Sequence, residues 1–421
     1  MVALPTPFEA YRLDLSRAGS EEDFGAADSM WLLVAHCFSR FANQPETARL
    51  DLAERCAQAL SQFAETEKDA VVEDGVKPLD DTALGDLSQL IEGLRRYRER
   101  AGHELLAKTV LEMSMRMSAL GALTLAYTLV GSAREAIENI SDRTRGLLLA
   151  EQARVTRLLG QLDDAEAMYA MVRGIAERSG DRELEARSAL GAGVVAQRRG
   201  NYPKARECFE RGLACAAAEG QRDLEAIAHQ GLTITALAKQ DYDLALQHGW
   251  ETLRRVTGNP GRESEALVNL ANASMEAGYP RAALHALLKC LRYAREHRVI
   301  LPALANATLA AARCGEVGML EMLGSRLERA MVESKLPYEN AYAAYDLARA
   351  YEAVGQNVRA LTLRTRAKAI AQERDFFELI HCLEADELTR RTEPAVEPRE
   401  LEEASQYVVR ELETMECELL V

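Results

Sequence analysis

A chain that repeats one turn at a near-constant interval has little choice of fold, because each repeat can bury its apolar face only on the next copy. This 421-residue chain does so. Gly121, Gly160, Gly200, Gln240, Gly278, Gly315 and Gly355 form a column of hinges spaced 39, 40, 40, 38, 37 and 40 residues apart. Seven positions before each hinge stands a small side chain: Ser114, Ala153, Gly193, Thr233, Ala271, Thr308 and Ala348. Five positions after it stands Ala126, Ala165, Ala205, Ala245, Ala283 or Ala360, with Leu320 the one departure. Small residues at these offsets let two antiparallel helices approach closely, and an apolar residue about nine beyond the hinge is placed to wedge the next pair. The unit reads most clearly from Leu184 to Ala214, two short helices joined at Gly200.

The turn chemistry agrees. Gly ends the first helix without a Cβ penalty, Asn201 or Asp241 can cap the second, and Pro203 and Pro280 suit its first turn. The run Gly258, Asn259, Pro260, Gly261 is the strongest internal break and is expected to form a longer loop between repeats. The unit hinged at Gly315 departs most, with Gly318 and Gly324 loosening its second helix, and is expected to change the local curvature.

This pattern resembles the tetratricopeptide repeat, in a variant longer than the usual spacing of about 34 residues, over roughly Ala107 to Asp375. The resemblance implies an all-α, right-handed superhelical solenoid of antiparallel helix pairs. Four segments are expected: an N-terminal helical extension over 1–103, the array over 104–375, a capping helix over 376–393, and a Pro-linker with an acidic C-terminal helix over 394–421.

In the extension, apolar spacing predicts helices over Ala26–Ala42 and Glu46–Glu65, joined at Asn43-Gln44-Pro45. A polar loop is expected from Thr66 to Asp81, then helices over Thr82–Arg100 and Glu104–Leu120, the second of which opens the array. At the other end, Glu400–Leu420 reads as an amphipathic helix with Leu401, Tyr407, Val408, Leu412, Met415 and Leu419 on its apolar side. It can cap the array, occupy its groove or bind another chain.

Composition excludes some functions. The net charge of −15 is carried by the ends, −8 over residues 1–100 and −8 over 380–421, leaving the array near neutral. No basic face marks a nucleic-acid binder. The first 25 residues hold acidic side chains and no apolar leader, no run is long enough to cross a membrane, and eight cysteines lie scattered without paired spacing. A cytoplasmic protein with reduced thiols is expected. There is no P-loop, dinucleotide fingerprint, HExxH or nucleophile elbow, so neither an enzyme nor a cofactor or metal is expected. The seven histidines are scattered, no two close in sequence.

The resemblance also implies where a partner goes. In the family the first helix of each unit lines a concave groove, facing it about 13, 10, 6, 3 and 2 positions before the hinge. Those positions hold Arg154 and Arg157, then Arg187, Gln197 and Arg198, then Gln230, then Glu265, Asn272 and Glu276, then Arg313, then Tyr342, Tyr345, Arg349 and Glu352. Arg154, Arg157, Arg187 and Arg198 suit an acidic peptide, since guanidinium pairs carboxylates directionally. Asn272 and Asn306 resemble the asparagines by which peptide-binding members hold an extended backbone, because an amide both donates and accepts. Members that clamp a terminal carboxylate also place basic residues nearby. Here those places hold Val268, Tyr342 and Asp346, which argues against carboxylate clamping. The expected function is a scaffold or regulatory adaptor for a protein or peptide partner, with homo-oligomerisation left open. The alternative is a peptide- or metabolite-gated sensor acting through a separate chain, which an aromatic pocket at Tyr342, Tyr345 and Tyr351 would favour.

Overall fold

The computed structural model describes residues 6, 9, 26–69, 79–294, 297–334, 337–373, 376–389 and 398–415. Among the described residues the regular elements are nineteen α-helices, without a strand. None is long and apolar enough to cross a membrane. The chain divides into two compact units, Met1–Val195 and Ala196–Val421.

The first unit holds α1 (Ala26–Ala42), α2 (Glu46–Asp69), α3 (Asp81–Arg95), α4 (Arg100–Ala119), α5 (Leu123–Ala136), α6 (Asp142–Leu158), α7 (Leu162–Ser179) and most of α8 (Arg182–Arg198). Consecutive helices pack on one another from α2 to α7, and α1 lies chiefly against α5, so α1 and α2 do not form a simple hairpin. α2 runs four residues past the expected end at Glu65; the rest of the expected polar loop lies largely outside the described residues. The junction is fixed by Arg49, which donates to the Phe41 carbonyl and to Glu138 at 2.6 Å, and by the Tyr97 hydroxyl, which donates to the Ala136 carbonyl. His103 accepts the Asn139 N–H at Nδ1 (3.3 Å), so its Nε2–H donates to the Tyr97 carbonyl at 2.6 Å, and burial holds the ring neutral by lowering its pKa.

The second unit holds α9 (Tyr202–Ala218), α10 (Arg222–Ala238), α11 (Tyr242–Val256), α12 (Pro260–Glu276), α13 (Pro280–Tyr293), α14 (His297–Arg313), α15 (Val317–Glu333), α16 (Pro337–Ala353), α17 (Asn357–Glu373), α18 (Phe377–Thr389) and α19 (Glu403–Glu413). Helices pack in order from α9 to α18. The first helices of successive repeats also touch: α10 on α12, α12 on α14 and α14 on α16. The fold is an all-α solenoid of antiparallel helix pairs.

All seven hinges adopt left-handed backbone, with φ from 58° at Gln240 to 91° at Gly278. Six glycines take that conformation without strain; Gln240 takes it against its Cβ. The small residues before the hinges and the residues five after them are buried, Leu320 included. Asn201 and Asp241 cap α9 and α11, accepting from the N–H groups of Lys204 (3.2 Å) and Leu244 (3.3 Å). The loop at Gly258 is no longer than its counterparts: Asn259 caps α12 and Pro260 opens it, so a connector of three residues suffices. Cys208 is buried and Cys215 half-buried, and the seven described cysteines are free thiols.

The acidic C-terminal helix α19 lies neither at the last repeat nor on the first-helix side. It packs on α11 and α13, the second helices of the repeats hinged at Gln240 and Gly278.

Candidate functional site

In the first unit Arg154 and Arg157 stand on α6 and Arg187 on α8. Arg154 grips Glu151 of its own helix through two bonds of 2.7 Å, and Ser114 donates to the same carboxylate at 2.7 Å. Arg187 pairs with Glu183 at 2.8 Å, which also takes Arg143. Each of these arginines thus carries a carboxylate of its own. Arg157 lies beside Tyr169, its Nε buried without a hydrogen-bond partner. Arg198, in the second unit, is exposed at the end of α8.

The second unit brings a set of carboxamides together on its adjoining first helices. Gln230 stands on α10, Asn269 and Asn272 on α12, and Asn306 on α14, all half-buried. None of their side chains makes a hydrogen bond within the described residues, and none is sealed from solvent. Asn269 and Asn306 both lie nine before their hinges, a column that sequence reasoning used only at Asn306. Beside Gln230, Ile227 and Ile234 of α10 are each 39% exposed, an apolar strip on an otherwise polar face.

The α16 side of this face is charged. Asp346 stands in the column of Asn269 and Asn306, with its side chain 20% exposed. Arg349 approaches it at 3.6 Å, with Arg313 of α14 and Glu276 of α12 near enough to act on its charge. Burial pushes the Asp346 carboxyl up to about 6, against the pull of Arg349 and Arg313. Tyr345 donates to Asp386 of α18 at 2.8 Å. Arg364 of α17 joins Asp386 at 3.2 Å to Glu352 at 2.6 Å, and both Arg349 and Arg364 lie 5.7 Å from the Tyr345 ring. Tyr342 meets Tyr338 in a tilted ring contact at 4.7 Å, and Tyr338 meets Phe376 edge-on at 5.2 Å. Tyr351 is elsewhere, fully buried beside Gly324 and under Arg359. Tyr342, Tyr345 and Tyr351 therefore do not line one aromatic pocket. Tyr345 and Arg364 tie α16, α17 and α18 together, whereas the open amides of α10, α12 and α14 keep unspent hydrogen-bonding capacity on an accessible face.

Among the described residues no three His, Cys, Asp or Glu side chains are placed to hold a metal. One histidine pair does form: His229 of α10 and His248 of α11 meet Nδ1 to Nδ1 at 3.0 Å.

Comparison with known proteins agrees with this architecture. Residues 144–218 and 188–257 match the family model of the tetratricopeptide repeat. Over residues 144–257 the repeats are of the tetratricopeptide type, a class that commonly mediates protein interactions. Among solved structures, the chain is similar to a Signal Transduction ATPase with Numerous Domains protein with a tetratricopeptide repeat sensor from Pyrococcus horikoshii. That match has a TM-score of 0.51 and 13% identity, over 85% of this chain and 55% of that one. The chain thus spans about half the length of that protein. A further match is the apo form of the quorum sensor NprR from B. thuringiensis, at TM-score 0.48 and 10% identity, over 77% of this chain and 98% of that one. No curated protein matches in sequence.

Proposed function

We propose that the chain is a non-enzymatic scaffold or regulatory adaptor whose second unit holds an extended protein segment by its backbone. The observation that carries this reading is the set of unbonded amides on three adjoining first helices: Gln230, Asn269, Asn272 and Asn306. Each can donate to one peptide carbonyl and accept from one N–H, whatever the side chains of the ligand. Ile227 and Ile234 offer apolar contact to alternate side chains of such a strand. The paired state of Arg154 and Arg187 makes strong selection for acidic sequence less favourable than backbone recognition. Cytosolic residence fits the free thiols.

The test is a displayed library of random 12-residue peptides, selected on the full chain and on its Gln230→Ala/Asn272→Ala/Asn306→Ala variant. Each truncation is expected to cost about 1–3 kcal/mol of binding where the amide pairs with backbone. The variant should keep its melting temperature and lose the selected peptides by at least about tenfold. Peptides that bind both proteins equally, or no enrichment on the parent, would remove this face from consideration.

A further inference from the structure

On the opposite helices of the second unit, α19 sits in a site that reads a helix from both ends. An α-helix exposes unbonded N–H groups at its N-terminus and unbonded carbonyls at its C-terminus, with partial charges to match. Glu402, at the N-cap, does not cap α19 with its own side chain. Asp243 of α11 does so instead, its carboxylate accepting the Glu402 N–H at 2.8 Å, while its carbonyl accepts from the Ser405 hydroxyl at 3.3 Å. At the far end His285 of α13 donates from Nδ1 to the Glu413 carbonyl at 2.8 Å. An acid faces the positive end of the helix and an imidazole donor the negative end.

The chain just before α19 is held as closely. The Arg399 N–H donates to the Ala277 carbonyl at 3.1 Å, and the Tyr279 hydroxyl donates to the Arg399 carbonyl at 2.7 Å. The Arg399 guanidinium lies 4.5 Å from the centre of the Tyr242 ring. Between the two ends, Leu401, Ser405, Val408, Val409 and Leu412 are buried, a stripe at helical spacing, and Tyr407 meets Trp250 edge-on at 6.2 Å. The opposite face of the helix, with Glu403, Arg410 and Glu413, stays in solvent.

These contacts come from side chains of α11 and α13 and from the turn between α12 and α13, all formed by the repeats themselves. We propose that the α11–α13 face is a receptor for a short amphipathic helix, and that α19 is its resident, displaceable ligand. The partner it fits is a helix of another polypeptide with the pattern of 401–412: Leu, then a small residue four on, an aliphatic pair seven and eight on, and Leu eleven on. Such a helix presents an open N-terminus to Asp243 and its last carbonyls to His285. This receptor is separate from the amide-lined first-helix face. α19 covers it until a competing helix arrives.

The probe is a fluorescein-labelled peptide of residues 398–415, titrated with two full-length proteins: the parent and a Val408→Asp/Leu412→Asp variant whose own helix is expelled. The variant should bind the peptide. The parent should bind at least about thirtyfold more weakly, because its tethered helix competes at high effective concentration. Adding Asp243→Ala or His285→Ala to the variant should weaken binding about five- to tenfold. Hydrogen exchange on the parent is a second readout that needs no substitution. Amides of 406–413 should exchange much faster than those of α11 and α13, since α19 opens alone. A parent that dimerises with concentration and dissociates on adding peptide would make a second copy the natural donor of the helix, which supports the receptor equally. If the folded variant leaves the peptide unbound, or α19 exchanges in step with α11 and α13, the helix is an integral part of the fold and the proposal fails.

Discussion

His229 and His248 show what a single pair of residues contributes. One ring must donate and the other accept across the 3.0 Å contact, so the pair tolerates two neutral rings and not two cations. Burial, with Arg255 and His248 adding repulsion, lowers the His229 pKa from 6.5 to about 4, while Glu251 and Glu225 oppose the shift. Between those two values the unfolded chain binds a proton that the folded chain refuses, so stability falls as pH falls through that window. The full difference corresponds to about 3 kcal/mol. Urea unfolding at pH 7 and pH 4.5 should show a smaller acid loss for His229→Gln than for the parent, and an unchanged loss would mean that the pair does not govern acid stability. The pair was not seen in the sequence because nineteen residues separate its members. It was nonetheless legible in principle, since an antiparallel hairpin about Gln240 brings positions eleven before and eight after the hinge together. The hinges were legible outright, because positive φ favours glycine wherever the repeat needs it. The partners of Arg154, Arg187 and Tyr345 were not, since they depend on which rotamers meet across helices.

Between elements, the repeats fit by exchanging bulk for space. Nine after the hinge, Tyr169 and Phe209 wedge the next pair as the sequence suggested, and each rests against a glycine of the following first helix, Gly191 and Gly231. In the repeats hinged at Gln240 and Gly315 the roles reverse: Gly249 and Gly324 occupy the wedge position and receive Leu270 and Tyr351. A Cβ at Gly231 would stand 2.5 Å from the Phe209 ring, inside van der Waals contact. Gly231→Ala should therefore cost about 1–3 kcal/mol despite the better helix propensity of alanine. Phe209→Leu added to it should recover part of that loss in a thermal melt. Equal melting temperatures for parent and single variant would show that the ring moves aside freely. The sequence announces α19 by its apolar stripe, and Leu401, Val408 and Leu412 are buried as that stripe implies, while Tyr407 stays 48% exposed. It could not say which surface receives the stripe, because amphipathicity specifies that a face is covered and not by what. The landing site depends on Asp243, Tyr279 and His285, residues unremarkable in sequence that converge only once α11 and α13 stack.

At the scale of the whole molecule, a solenoid holds together by neighbour contacts, so damage should stay local. Ala205 tests this. Its methyl is fully buried on α9 of the second unit, five after the Gly200 hinge. A leucine there adds bulk to a contact built for one methyl, at a cost of about 1–3 kcal/mol. The column tolerates one larger residue, Leu320 on α15, where α16 packs mainly against α14 and so leaves the second helix more room. No such relief exists at Ala205, because α10 packs on α9 and α11 as well as on α12. In Ala205→Leu, hydrogen exchange should quicken first in α9 and α10 and less in α11. It should leave α16 and α17, and α3 to α5 of the other unit, at parent rates. A chain that folded as one cooperative body would instead lose protection everywhere together. That uniform loss, or an unchanged melting temperature, would show that stability is not partitioned repeat by repeat as the hinge column implies.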